Sequence, residues 1–153
     1  MSLLEAAVPL QAEQISEMKD DVDEMKRMMV FNLLENESAS QRIKAVNYSE
    51  EISVPDDKII KALINTLNSD KSTNVRLAAV YSLARFKTNN KVKNAFIETL
   101  NKQDDPMIQI VIINILVEME EVKAVDELQD LLRNKDLNEQ VKKQAEMGVE
   151  VLS

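Results

Sequence analysis

The chain has 153 residues, one Gly, three Pro, no Cys and no His, a length suited to one domain or one repeat array. Without Cys or His there is no thiol chemistry, disulfide, His general base or ordinary zinc site, and one Gly leaves no Gly-rich phosphate loop and few of the tight turns a sheet needs. A net charge of −8 and a pI near 4.7 disfavour phosphate backbones and anionic membrane surfaces as ligands.

At the start, Met1-Ser2-Leu3 has neither the cationic nor the apolar region of a signal peptide and reads as a cloning remnant, the native protein beginning further upstream. Residues 1–37 carry nine acids against three bases, so most of the excess charge sits there. It is expected on a solvated helix face, with recognition of a basic partner as the alternative. Ile15, Met18, Val22, Met25 and Met29 alternate spacings of 3 and 4 between charged residues, a narrow seam suited to helix pairing. Two outcomes fit it: pairing with another copy of the chain, or folding back on the chain's own later helices. Residues 1–23 are therefore assigned to a helical, coiled-coil-like arm and 24–153 to the main domain.

The remainder repeats. Thr66-Leu67-Asn68 recurs as Thr99-Leu100-Asn101, and Val75, Ala79 and Leu83 recur as Ile108, Ile112 and Leu116 and again as Val141, Ala145 and Val149, each 33 residues on. Ile64 and Leu67 step back by 33 to Phe31 and Leu34, and Arg42-Ile43-Lys44-Ala45-Val46 aligns with Arg76-Leu77-Ala78-Ala79-Val80 at 34. Four two-helix units follow, about 24–51, 56–87, 90–119 and 122–152. Within them, apolar stripes predict helices near 24–35, 39–51, 57–68, 73–87, 91–102, 106–119, 122–134 and 139–152.

Helix-start signals agree with these units. Ser38 and Gln41 have capping-box spacing, Pro55-Asp56-Asp57 precedes a helix, Asp105-Pro106 sets Pro after an Asp cap, and Asn138 caps the last helix. The helix near 106–119 is apolar almost all round, which requires neighbours on several sides, yet it is shorter than the ~20 residues a membrane span needs. The final helix is polar on one side, as a terminal cap of an array must be. The fold class is thus all-α, an α-α superhelix of about four pairs with an extended N-terminal helix.

At Asp70…Val75-Arg76-Leu77-Ala78-Ala79-Val80 the sequence resembles a HEAT repeat, whose second helix opens V-R-x-x-A-x-x-A-L with an Asp six residues before the Arg. The resemblance implies that Asp70 and Arg76 belong to a structural hydrogen-bond ladder between repeats. The pattern continues as Asp136 with Lys142 and weakens at Asp104 with Gln109. Over residues 15–152 the Met-rich helix, Leu33-Leu34, Ser38 to Tyr48, Asn74 to Val80 and Asp105 to Ile110 are similar to the C-terminal HEAT domain of bacterial membrane-anchored zinc-finger anti-sigma-type regulators. That similarity implies a sensor or partner-binding domain on the extracytoplasmic side of the inner membrane, the cytoplasm being the alternative. The zinc module and membrane span that precede the repeats in such regulators are not among these 153 residues.

In HEAT arrays the second helices line the concave face. Stepping by 33 or 34 aligns Asn47, Tyr81, Asn114 and Met147 in one row, Glu51, Arg85, Glu118 and Val151 in a second, and Lys44, Ala78, Val111 and Gln144 in a third. Asn47, Tyr81, Arg85, Val111, Asn114 and Glu118 are the candidate partner-binding residues, with Tyr81 and Arg85 expected one turn apart on one helix as anchors. Two blander roles compete: Tyr81 packed between repeats and Arg85 as a solvated helix end. The expected function is a non-enzymatic scaffold for a protein or peptide, with no cofactor, no catalytic residue and no nucleic acid. The rivals are a purely structural oligomerisation module and a HEAT-like lyase or DNA glycosylase; a glycosylase needs a basic groove and aromatic residues for a flipped base, and this chain has neither a basic balance nor Trp.

Overall fold

The structure, a computed structural model, describes residues 3–52 and 56–153, with side chains from Pro9 onward. The described residues form eight α-helices: α1 (Leu3–Leu34), α2 (Ala39–Ser49), α3 (Asp57–Ser69), α4 (Thr73–Leu83), α5 (Asn90–Lys102), α6 (Pro106–Glu118), α7 (Ala124–Leu132) and α8 (Glu139–Leu152). None is long and apolar enough to cross a membrane.

Caps set where these helices begin. The Asp56 carboxylate accepts the Ile59 amide at 3.0 Å, Asn89 accepts Lys91 at 2.9 Å, Asp105 accepts Met107 at 2.9 Å and Asn138 accepts Gln140 at 2.9 Å. Ser72 caps α4, its hydroxyl 3.5 Å from the Val75 amide. The capping box expected at Ser38 does not form. Its hydroxyl faces Ser40 Oγ at 3.1 Å, and its own amide donates to Asn36 Oδ1 at 2.9 Å. Pro55 lies outside the described residues. At its far end, α6 closes with Glu120 in the left-handed region (φ 54°) and the Glu121 amide bonded to the Leu116 carbonyl at 3.0 Å, a Schellman-type stop without the usual glycine.

Consecutive helices pair as α1/α2, α3/α4, α5/α6 and α7/α8, and each pair stacks on the next. The second helices α2, α4, α6 and α8 follow one another along one side, the first helices along the other. The second helices pack together more closely than the first, and their side is the inner face of the array. Period-3.6 stripes supply one continuous core: Val30, Val46, Ile59, Leu63, Leu67, Val80, Leu83, Phe96, Leu100, Ile112, Ile113, Leu116, Leu128 and Val141 all interlock. α6 is enclosed by α4, α5 and α8 and buries Ile108, Gln109, Ile112, Ile113 and Leu116. On α8, Lys142, Lys143, Glu146 and Glu150 stay exposed.

Two helices are shorter than expected. α4 stops at Leu83 rather than near 87, although Ala84 and Arg85 are good helix formers. The chain turns there, the Phe86 amide bonding the Leu83 carbonyl at 3.0 Å, and Phe86 packs against the core. Likewise α7 spans Ala124–Leu132, flanked by turns at Glu121–Ala124 and Asp130–Arg133.

Candidate functional site

Two surfaces are built by the repeat: a ladder of side chains between the inter-helix loops, and the inner face of the second helices. The ladder starts at Arg42. On the first turn of α2 and 6% exposed, its guanidinium crosses into the next repeat. Nε donates to Asp70 Oδ2 at 2.8 Å and Nη2 to Oδ1 at 3.1 Å, while Nη1 donates to the Asn36 and Glu37 carbonyls at 2.9 and 3.0 Å. One planar fork thus satisfies loop carbonyls of the first repeat and binds the second in a bidentate, charge-assisted pair. Asp70 also accepts the Ser72 amide at 2.9 Å. Burial pushes the Asp70 carboxyl up, but the Arg42 and Ser72 hydrogen bonds and the charges of Arg42 and Arg76 outweigh it, holding the group below the usual carboxylate range. The same pairing raises the Arg42 guanidinium's own affinity for its proton.

Asp70 and Arg76 are therefore in successive steps rather than partners of each other. Arg76 reaches onward, donating from Nη1 to Gln103 Oε1 and from Nη2 to Thr73 Oγ1 at 3.2 Å, with the Asp104 and Asp105 carboxylates 3.6 and 3.7 Å away. The residue standing where Asp70 stands one repeat earlier is Gln103, not Asp104. Asp104 is 95% exposed. The Asp105 carboxyl is held low, first by the Thr73 hydroxyl, which donates to it at 2.6 Å, and then by the Met107 and Ile108 amides and the Arg76 charge, all against the opposing pull of burial. At the third step the pattern ends: Gln109 Nε2 turns inward to the Leu100 carbonyl at 3.0 Å. Along the array the ladder declines from a bidentate ion pair, through the Arg76–Gln103 hydrogen bond flanked by longer ion pairs to Asp104 and Asp105, to no ladder bond at the third junction.

A second set of cross-repeat bonds lies on the outer helices. Thr99 donates to Asn68 at 2.8 Å, joining α5 to α3, and Asn101 donates to Glu127 at 2.6 Å, joining α5 to α7. The recurrent Thr-Leu-Asn is the sequence trace of these contacts. Its spacing marks the repeat, but which side chain answers Asn101 depends on a residue outside the motif.

On the inner face, Tyr81 is 59% exposed and Met147 and Val151 are 56% and 63% exposed. Asn47, Asn114 and Glu118 are also exposed, and Val111 is half-buried against the core. Tyr81 is not packed between repeats. Arg85 lies in the turn beyond α4, not on the helix with Tyr81. Its guanidinium sits 5.3 Å from the Phe86 ring centroid and 3.9 Å from the Glu50 carboxylate. Asn114 and Glu118 come together with Gln144, Met147 and Val151 around a cleft of about 270 Å³ between α6 and α8, with Val117 and Gly148 completing its lining. Gln144 donates to Asn114 across it. Gly148 faces α7 at close range, where a Cβ would meet Leu128 Cδ1 at 3.1 Å, and would meet Ile113 and Val117 of α6 only at ordinary contact distance. A larger cleft, about 410 Å³, opens beside Arg42 and Asp70, between Phe31 and Leu34 of α1 and Ala62, Asn65 and Thr66 of α3.

The seam residues Ile15, Met18, Val22, Met25 and Met29 all remain exposed, and residues 9–22 touch nothing that buries them. The arm does not fold back on the repeats.

Paired helices stacked through an Asp/Arg ladder define an α-solenoid of two-helix repeats. HEAT repeats match residues 60–150, from the first turn of α3 through most of α8. This chain belongs to the HEAT-repeat family. The pair α1/α2 lies outside the matched span yet packs on α3/α4 through the same ladder. No curated protein matches the sequence.

Proposed function

We propose that this chain is a non-enzymatic interaction scaffold whose ligand, a protein or peptide, lies along the inner face. HEAT-repeat arrays commonly serve as protein-interaction scaffolds. The observation that carries the reading is the uncovered Tyr81, Met147 and Val151 on the inner helices, interspersed with Arg85, Asn114 and Glu118. Aromatic, Met and Arg side chains amid short polar groups are the composition of interface centres. The net charge of −8 supports a protein ligand over a nucleic acid. A photo-cross-linking residue at position 81, with one at exposed Glu98 on α5 as the outer-face control, tests this in cells. Position 81 is expected to capture a partner that position 98 does not, and a folded Tyr81→Ala, Arg85→Ala variant is expected to bind that purified partner at least tenfold more weakly. Unchanged affinity in the variant places the site elsewhere, with the acidic arm next in order.

The finer setting rests on the resemblance to bacterial membrane-anchored regulators: the partner-binding or sensor domain of an envelope or transcription regulator. What supports it is the run of similar segments from the Met-rich helix to Ile110. The gene surrounding this chain tests it. A Cys/His module and a membrane span encoded upstream support the regulator, and a gene without them removes it.

A further inference from the structure

Within a single chain nothing packs against the arm between residues 9 and 22. From Pro9 to Val22 every residue of α1 is exposed, and contact with the repeats begins only at Asp23 and Lys26. A free helix of this length is marginal in water, because helices in proteins owe most of their stability to packing an amphipathic face. The five seam residues are 43–65% exposed, a row of uncovered apolar side chains along one side of the arm.

The heptad register names the occupant of that row. With Ile15, Val22 and Met29 at a and Met18 and Met25 at d, Lys19 and Lys26 fall at e and Gln14 and Asp21 at g. Two of the three a residues, Ile15 and Val22, are β-branched and both d residues are unbranched Met, a pattern nearest to that of two-stranded coils, which set β-branched residues at a and Leu at d. In a parallel pair each g residue faces the e residue of the next heptad on the other helix. Asp21 then meets Lys26 of the second copy, twice by symmetry, and Gln14 meets Lys19. An antiparallel pair sets e against e, bringing Lys19 and Lys26 together as like charges. Glu13, Glu17, Asp20 and Glu24 fall on the outer positions, exposed to solvent.

Orientation of the repeats permits this pairing. At about 100° per residue, the seam lies roughly a quarter-turn to a third of a turn around α1 from Val30, the residue the helix buries. A two-fold axis along the arm therefore sends the two repeat arrays to opposite sides. Lys26 Nζ, which donates to the Glu51 carbonyl at 3.3 Å, keeps two further protons for Asp21.

We propose that a second copy of this chain covers the seam, the two arms forming a parallel two-stranded coiled coil over residues 14–29. The proposal is independent of the inner-face reading. Its test uses the full chain. Sedimentation equilibrium is expected to give twice the 17.4 kDa chain mass, and an Ile15→Asp, Val22→Asp variant to give the monomer while its repeats unfold at the unaltered temperature. Strand direction is read separately. The chain lacks cysteine, so Met18→Cys is expected to cross-link to its own copy under mild oxidation, whereas Glu17→Cys, on the outer face, is not. Asp21→Lys is expected to weaken the dimer severalfold, and adding Lys26→Glu to restore it. A monomer at all concentrations, a dimer untouched by the two seam aspartates, or a dimer in which Met18→Cys does not cross-link overturns the proposal. The first result reassigns the acidic arm to a different partner.

Discussion

Leu116 is fully buried on the helix that has neighbours on three sides, at the position that recurs from Leu83. Truncating it leaves a cavity that α4, α5 and α8, pinned by their own packing, can collapse only in part. Leu116→Ala is expected to cost about 2–5 kcal/mol, measured by urea unfolding with the slope unchanged. Core residues of this kind are legible in a sequence, because a 3.6-residue stripe and a 33-residue period both require them. Arg42 is a different case. Its alignment with Arg76 is plain, but its role is not, since its partner Asp70 lies 28 residues ahead in the next repeat. The resemblance implies a ladder between repeats through Asp70 and Arg76, but it does not name Arg42 as the residue that meets Asp70. The step of 33 from Asp70 lands on Gln103, a neutral residue that a search for acids passes over in favour of Asp104.

At the scale of the element, helix starts were more readable than helix ends. Asp56, Asp105 and Asn138 cap through their own side chains, a local chemistry that residue type announces. α4 ends early for a tertiary reason, the docking of Phe86, which nothing in Ala84-Arg85-Phe86-Lys87 declares. Ser38 fails as a capping box because its amide is already taken by Asn36. Two carboxyls at the inter-helix loops are expected to contribute to the pH dependence of stability. Asp70 and Asp105 have carboxyls held below their ordinary values, so the folded state binds their protons less readily than the unfolded chain. Their stabilisation is complete above the unfolded value, about 3.9, and is lost as pH falls through the lower folded values. Asp70→Asn is expected to cost about 1–3 kcal/mol at neutral pH and to flatten the acid limb of stability. Urea unfolding of both proteins at several pH values between 7 and 3 checks it. An acid limb equally steep in the variant places the titration elsewhere.

Across the whole molecule, the period of 33 was enough to count the pairs and order them, because each unit touches only its neighbours. It could not say that the junctions differ in kind. The first is closed by a bidentate ion pair; the last has no ladder bond and is held by the packing of α8 on α6 and of α7 on α5, with the Asn101–Glu127 and Gln144–Asn114 hydrogen bonds. Acid removes the ion pair at the first junction, while the apolar packing of the last carries no charge to neutralise. The array therefore has a polarity of fraying: at low pH it is expected to open from its N-terminal pair while the C-terminal pair stays shut. Pepsin, active near pH 3, reports this directly, with the earliest cuts expected between residues 30 and 52 and the α6–α8 segment released intact. Early cuts in α7 or α8 contradict that order. A chain that looks like four copies of one unit is thus expected to have an acid-sensitive end and a more acid-resistant one, the sensitive end being the one that carries the arm.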